Sequence, residues 1–242
     1  MEYLDDDICA LLRKRVYDMA GLMPKVKVVL NSKEIEINSF MKYVDMYYEV
    51  ESNIPKIRDP SVDNARWQIV VSLSEGEFRQ VSFVNSVCTT KGGTHVNYIT
   101  EQIVDRIQEK IKKKDKNLKV KPFQIKSHLW VFVNCLIENP TFDSQTKEHM
   151  TLKQSQFGSE CILSEKMIKE ILKSGVVDDI FNEAKAKELN KLAKMTGGGK
   201  KARVQGIAKL EDANEAGTKN SERCTLILTE GDSAKSLAMA GL

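Results

Sequence analysis

The segment Leu129–Ile137 constrains the fold of this chain more than any other. It is an almost unbroken apolar run, and its β-branched and aromatic side chains favour a strand over a helix. A strand that is apolar on both faces must be covered on both sides, which places it at the centre of a sheet. Asn139 and Pro140 follow the run and predict that the strand ends there.

Periodicity elsewhere predicts that this strand belongs to an α+β domain covering about residues 20–175. The strongest pattern follows the Gly92-Gly93 turn, where Val96, Ile99, Ile103, Ile107 and Ile111 recur along one face of a long helix. The other predicted elements are a helix capped by Asp5–Asp7 and ending near Gly21 and Pro24, a hairpin of Val26–Leu30 with Glu34–Ile37, a short helix over Phe40–Tyr48, a loop over Glu51–Asn64, a hairpin of Trp67–Leu73 with Phe78–Val84 around Ser74–Gly76, a helix over Glu165–Ser174 capped by Ser164, and a charged helix over about Val176–Lys194. The polar segment Met195–Glu222, which contains Gly197–Gly199, predicts a flexible connector.

Composition excludes several classes of protein. The chain of 242 residues is 41% hydrophobic and 29% charged, as in soluble globular proteins, and it has no apolar run long enough to span a membrane. Its acidic start does not resemble a secretory or mitochondrial leader. The five cysteines are scattered and odd in number, which indicates a reducing compartment with buried thiols. Neither they nor the three histidines have the spacing of metal ligands.

Charge is concentrated in one segment of the chain. Arg106–Lys126 has nine basic residues against Glu109 and Asp115, a local charge of +7, so the remainder carries −4 of the overall +3. A basic patch on a nearly neutral protein is typical of a surface that binds a polyanion. Lysines are also favourable at the end of a helix facing solvent, and the charge pattern alone leaves both interpretations open.

Two further segments carry residues suited to chemistry. The loop Asn139–Glu148 presents Lys147 beside Gln145 and Thr146, a group of donors that suits a phosphate oxygen, although polar surface loops often contain one lysine. Near the end of the chain, the apolar run Cys224–Thr229 leads into Glu230-Gly-Asp-Ser-Ala-Lys235. This pattern predicts a strand, a tight turn at Gly231, and a helix over Ser233–Ala240 capped by Asp232 or Ser233. A carboxylate at that turn can bind Mg²⁺ or transfer a proton, and an ordinary surface glutamate is the alternative.

Several motifs together resemble the eukaryotic type II DNA topoisomerases. The resemblance extends over nearly the whole chain, with its motifs in the order of the family: Tyr43-Val-Asp-Met-Tyr47, Val81-Ser-Phe-Val-Asn-Ser86, Thr90-Lys-Gly-Gly-Thr-His95, Asn139-Pro-Thr-Phe-Asp-Ser-Gln-Thr-Lys-Glu148, Ile207-Ala-Lys-Leu-Glu-Asp-Ala-Asn214 and Thr225-Leu-Ile-Leu-Thr-Glu-Gly-Asp-Ser-Ala-Lys235. It implies a transducer domain, related to domain 2 of ribosomal protein S5, then a helical linker and the first strand and helix of a TOPRIM fold. The implied segments are 1–21 (the end of the ATPase domain or a connecting helix), 22–175 (transducer), 176–222 (helix and linker) and 223–242 (start of TOPRIM).

The resemblance also implies roles for individual residues. Gln145, Thr146 and Lys147 match the loop that touches the terminal phosphate of ATP, and the basic triplet Lys112, Lys113 and Lys114 matches residues on the DNA-facing side. Glu230 matches the first acidic residue of TOPRIM, a Mg²⁺ ligand or proton donor, whereas His95 is expected to be structural. The implied cofactors are ATP and Mg²⁺. The implied partners are double-stranded DNA and either a second copy of the chain or a full-length relative. The resemblance implies no membrane partner, and it implies a location in the nucleus.

In that family, strand passage also needs parts that this sequence does not contain. A glycine-rich ATP-binding domain is expected before Met1, and the TOPRIM Asp-x-Asp pair and the nucleophilic tyrosine after the last residue, since all six tyrosines precede residue 100. We therefore expect the isolated chain to neither hydrolyse ATP nor relax DNA. Two interpretations remain open at this stage: part of an ATP-dependent type II topoisomerase, or a non-catalytic module that binds DNA or dimerises.

Overall fold

The computed structural model describes residues 4–49, 52–60, 66–195 and 210–240. It divides into two compact units, Met1–Ala184 and Lys185–Leu242. The helices are α1 (Asp6–Leu22), α2 (Phe40–Asp45), α3 (Thr94–Lys114), α4 (Pro122–Lys126), α5 (Glu165–Lys173), α6 (Val176–Met195) and α7 (Asp232–Ala240). The strands are β1 (Val29–Leu30), β2 (Lys33–Glu34), β3 (Trp67–Leu73), β4 (Arg79–Val84), β5 (Val87–Cys88) and β6 (Leu129–Cys135). None of the described helices is long and apolar enough to cross a membrane.

The four-stranded sheet of the first unit is built around β6, as the apolar run predicts. The strand order is β3-β6-β4-β5, with β6 antiparallel to β3 and parallel to β4. The predicted hairpin of Trp67–Leu73 with Phe78–Val84 is therefore wrong, because β6 lies between these two strands. A local turn signal cannot reveal that β6, more than 40 residues away, inserts between the two strands. In that position both edges and both faces of β6 are covered.

The hairpin that β4 does form is with β5. Asn85 and Ser86 connect the two strands with positive φ angles of 49° and 66°, the backbone of a type I′ turn. The sequence analysis did not predict β5, because two residues are too few for a periodic pattern. The turn at Asn31-Ser32 has the same backbone, and it confirms the first predicted hairpin, although its strands are only two residues long.

Both faces of the sheet are covered by helices. The long helix α3 packs its buried isoleucines against one face, together with Val131, Val133 and Cys135 of β6. Helix α2 covers the other face, where Phe132 of β6 packs with Phe40 and Tyr43. Successive residues of β6 thus point to opposite helical layers, so the apolar side chains on both faces of the strand are buried.

Helix α1 is attached to α2 through a buried polar group. Asp5 caps its first turn, accepting a hydrogen bond from the Ile8 amide at 2.8 Å. Asp18, buried near the other end, accepts a hydrogen bond from the Tyr43 hydroxyl at 2.6 Å and pairs with Lys14 Nζ at 2.9 Å. Desolvation by burial, followed by the hydrogen bond to Asp18, raises the pKa of Tyr43, so this hydroxyl stays protonated as a donor.

The remaining predicted helices are confirmed, with boundaries within a few residues. Ser164 caps α5 by accepting a hydrogen bond from the Met167 amide at 3.0 Å, and Gly175 separates α5 from α6. In the segment predicted as a loop over Glu51–Asn64, residues 52–60 contain only an isolated bridge between Ile57 and Val71. Glu51 and residues 61–64 lie outside the described residues.

In the second unit, α7 confirms the predicted helix, but the predicted strand over Cys224–Thr229 is not formed within the described residues. Leu226 and Leu228 are 77% and 85% exposed, because this stretch has neither a neighbouring strand nor a core to cover its apolar side chains. The Gly197–Gly199 connector and the first three residues of Ile207–Asn214 lie outside the described residues.

Candidate functional site

The loop containing Gln145, Thr146 and Lys147 is an exposed turn on the first unit. All three side chains are exposed, and the Lys147 amide donates a hydrogen bond to the Ser144 carbonyl at 3.1 Å. Lys147 has a left-handed backbone with φ 58°, and the Ser144 and Thr146 hydroxyls are 2.8 Å apart. Lys147 forms no ion pair with any described residue, so its ammonium group is available to an anion outside this part of the chain.

The base of this loop is held by backbone hydrogen bonds. Phe142 and Met150 form an antiparallel bridge, and the Thr151 amide donates to the Thr141 carbonyl at 2.9 Å. The Asp143 amide donates to the His149 carbonyl at 3.2 Å one step further along. The loop therefore projects from a closed neck, which restricts the positions that its tip can take.

The neck rests directly on the segment that leads into α3. The Met150 amide donates to the Gly92 carbonyl at 3.1 Å, and the Thr94 amide donates to the Met150 carbonyl at 3.1 Å. A β-carbon at Gly93 would overlap the Met150 carbonyl oxygen and lie 2.6 Å from its nitrogen. With φ 141°, Gly93 is at a position that only glycine can occupy without displacing the loop.

His95 supports this junction from inside the protein. It is fully buried in the first turn of α3, and its Nε2 is 3.1 Å from the Thr89 hydroxyl, which is hydrogen-bonded to Ser82. Burial, with a smaller contribution from the charge of His149, lowers the pKa of His95 to about 3, so the ring is neutral at physiological pH. This environment agrees with the structural role expected for His95.

The basic triplet lies at the opposite end of α3. Lys112, Lys113 and Lys114 form the last turn, where their charges complement the helix dipole. The structure distinguishes Lys114 from the other two: its Nζ is 2.6 Å from an Asp178 carboxylate oxygen and 4.5 Å from the centre of the Phe181 ring. Lys112 and Lys113 are exposed and have no ion pair with described residues.

These two groups are separated by the length of α3. Its 21 residues correspond to about 31 Å at 1.5 Å per residue. One rigid helix, packed along its length on the central sheet, therefore connects the junction beneath Lys147 to the exposed Lys112 and Lys113.

Glu230 is exposed in the second unit, just before α7. The described residues contain no group of three or more histidine, cysteine, aspartate or glutamate side chains that could hold a metal ion. A single exposed carboxylate does not fit the requirements of a Mg²⁺ site. These residues therefore do not form the predicted metal site by themselves.

Sequence reasoning missed two features of the first unit. Gly93 had been assigned only to a turn, and its contact with Met150 could not be inferred, because the two residues are far apart in the sequence. The sequence analysis also did not single out Phe123, which is 65% exposed in the basic segment. A sequence alone does not assign a phenylalanine between lysines to the surface or the core.

Comparison with known proteins identifies the family. The sequence model for DNA gyrase B matches residues 29–198. A DNA topoisomerase 2 of Caenorhabditis elegans is 53% identical over 247 aligned positions that cover the whole chain. The chain belongs to the type II DNA topoisomerase family. Arabidopsis thaliana DNA topoisomerase 2 and human DNA topoisomerase 2-beta are 54% and 52% identical over the whole chain. The chain spans only about one sixth of the length of these relatives, 15–17%.

Solved structures of topoisomerase II share the α+β fold. The ATPase and transducer domains of the Balamuthia mandrillaris enzyme align with a TM-score of 0.72 and 38% identity, covering 78% of this chain and 47% of that one. The ATPase region of Saccharomyces cerevisiae topoisomerase II aligns with a TM-score of 0.68 and 44% identity, covering 76% and 47%. The match is therefore to the ATPase and transducer region of these topoisomerases.

The buried neutral His95 predicts a pH-dependent stability. Its folded pKa lies below the ordinary value of about 6.5, so the unfolded chain binds the additional proton, and stability is lost as the pH falls through 6.5 towards 3. Between about pH 7.5 and about pH 5.5, this site should reduce the free energy of unfolding by about 1.4 kcal/mol. Urea unfolding at both pH values measures the loss. It should largely disappear in His95→Gln and persist in the control His149→Gln; an equal loss in both variants would contradict this assignment.

Proposed function

We propose that this chain acts in a type II DNA topoisomerase as the transducer that links ATP turnover to the passage of one DNA duplex through another. The observation that carries the proposal is the arrangement along α3. The exposed Gln145–Lys147 loop is held against the start of the helix, and the exposed Lys112 and Lys113 are at its end. A nucleotide contact and a DNA contact would thus share one rigid element.

The loop suits the terminal phosphate of ATP bound by a neighbouring ATPase domain. Lys147 offers a charged donor group without an internal ion pair in the described chain, and Gln145 and Thr146 add neutral donors beside it. The closed neck below the loop limits its motion, so the donors are positioned before the nucleotide binds. Preorganised charge of this kind stabilises the negative charge of a phosphoryl group as it is transferred.

The remaining roles follow from family membership. A homodimer, a nuclear location, and Mg²⁺ as a second cofactor are proposed on that ground. Glu230 would contribute one carboxylate to a Mg²⁺ site completed by other acidic residues, and the metal would stabilise charge at the cleaved phosphodiester. The segment 223–242 is proposed as the start of the TOPRIM fold on the same ground, and the position of α7 after the Glu230-Gly231 turn supports this proposal.

Replacing Lys147 tests the nucleotide contact. In a chimera in which this chain replaces the matching segment of the C. elegans topoisomerase, Lys147→Ala should lower ATP turnover about 30- to 1000-fold, the effect of losing one contact that stabilises the transition state. Duplex affinity should remain unchanged. The matched control is Lys153→Ala, an exposed lysine of the following segment. Steady-state ATPase assays measure the difference, and equal turnover in both variants would remove the loop from the nucleotide site.

Salt dependence tests the DNA contact. Each lysine–phosphate contact contributes about 0.9 to the slope of log affinity against log salt, so Lys112→Ala with Lys113→Ala should flatten the slope by about 1.8. Lys114→Ala should change it less, because Lys114 is paired with Asp178. The matched control is Lys166→Ala with Lys169→Ala, two exposed lysines of α5. Titration of duplex binding at several salt concentrations gives the slopes, and a double variant with the control's slope would rule out the DNA contact.

A further inference from the structure

The packing of the fold does not explain why Phe123 is exposed. It is the second residue of α4, and 65% of its surface is accessible to solvent. Helix α4 is anchored instead by Ile125, which is fully buried. The Phe123 ring makes none of the aromatic or cation–π contacts found among the described residues. An apolar side chain that packs against so little gains almost nothing from folding.

The surroundings of Phe123 are strongly basic. Lys116, Lys119 and Lys121 are exposed, and the buried Leu118 and half-buried Val120 lie between them. Lys121 has an extended backbone and immediately precedes α4. Phe123 comes two residues later, in the first turn of α4, so exposed lysines and an exposed aromatic ring lie close together in the chain.

The segment containing Phe123 is anchored along α3, away from Lys112 and Lys113. Gln108 donates a hydrogen bond to the Val120 carbonyl at 3.0 Å, and Lys126 Nζ donates to Asn97 Oδ1 at 2.9 Å. Phe123 lies between these two anchors, about ten residues of α3, or about 15 Å, before its basic end. At 3.4 Å per base pair, that distance corresponds to about four base pairs of a duplex.

We propose that Phe123 inserts into DNA bound by the basic end of α3 and contacts an unstacked base. The inference rests on the DNA-facing role proposed for Lys112 and Lys113. Lysines neutralise phosphates without regard to DNA structure, whereas an aromatic ring gains free energy only where it meets a base face or wedges into an opened step. Phe123 therefore gives this surface a preference for duplexes that are locally unstacked, because opening the step there costs less.

The charges around Phe123 suit this partner. Among the described residues, two acidic ones interact with this strip: Asp115 accepts a hydrogen bond from the Asn117 amide at 3.0 Å, and the charge of Glu101 acts on Lys126. The exposed Lys116, Lys119 and Lys121 leave the strip basic overall. A polyanion that also presents flat apolar surfaces satisfies both the lysines and the ring, and nucleic acids have this combination.

The test compares two DNA duplexes of equal length, one fully paired and one with a central block of mismatched pairs. The wild-type chain should bind the mismatched duplex more tightly. Phe123→Ala should weaken that binding about tenfold, the size of one base–aromatic stacking contact, with little effect on the paired duplex and no change in the salt slope. Phe123→Trp should restore it. The matched control is Ile162→Ala, an exposed apolar residue next to Leu163, whose amide donates to Gln102 of α3.

The outcomes separate this inference from the proposed function. If Phe123→Ala binds the mismatched duplex like wild type while Lys112→Ala with Lys113→Ala still flattens the salt slope, the inference is wrong and the DNA-facing role stands. If neither set of variants changes binding, both are wrong. A loss in Phe123→Ala that Phe123→Trp does not restore, or that Ile162→Ala shares, would also overturn the stacking contact.

Discussion

The close packing of Gly93 against the Met150 backbone is the contact on which the functional geometry depends. Hydrogen bonds from the Met150 amide to Gly92 and from the Thr94 amide to Met150 join the neck of the loop to the first turn of α3. The absence of a β-carbon at Gly93 allows the two backbones to approach this closely. The loop carrying Lys147 thereby becomes an extension of the helix instead of an independent surface segment.

The rest of the first unit keeps α3 in place. Its buried isoleucines pack on a sheet whose central strand is apolar on both faces, and α2 closes the opposite side. At the far end, the pairing of Lys114 with Asp178 ties the last turn to α6, while Lys112 and Lys113 stay exposed. A displacement of either end must therefore move the helix as a unit or break its packing, which is the mechanical condition for linking two distant sites.

Sequence patterns predicted the elements better than their arrangement. The central strand and α3 follow from long periodic runs, and the caps of α1 and α5 follow from single side chains at fixed positions. The pairing of β3 and β4 with β6, the short strand β5, and the contact of Gly93 with Met150 depend on residues distant in sequence. Charge and residue type drew attention to the loop and the basic segment, whereas the roles of their residues came from a family resemblance. The pairing of Lys114, which sets it apart from Lys112 and Lys113, could be seen only from the position of Asp178 in the structure.

The central claim is that the loop is positioned by its junction with α3, and amide hydrogen exchange of two glycine variants tests it most directly. Gly93→Ala should speed the exchange of the Asp143 and Thr151 amides in the neck, because the new β-carbon forces Met150 away. Gly76→Ala is the matched control, since Gly76 also has a positive φ, 81°, but open space around it. In Gly76→Ala, the Asp143 and Thr151 amides should exchange at the wild-type rate. Unchanged neck exchange in Gly93→Ala would contradict the account, because the loop would then keep its position without the contact.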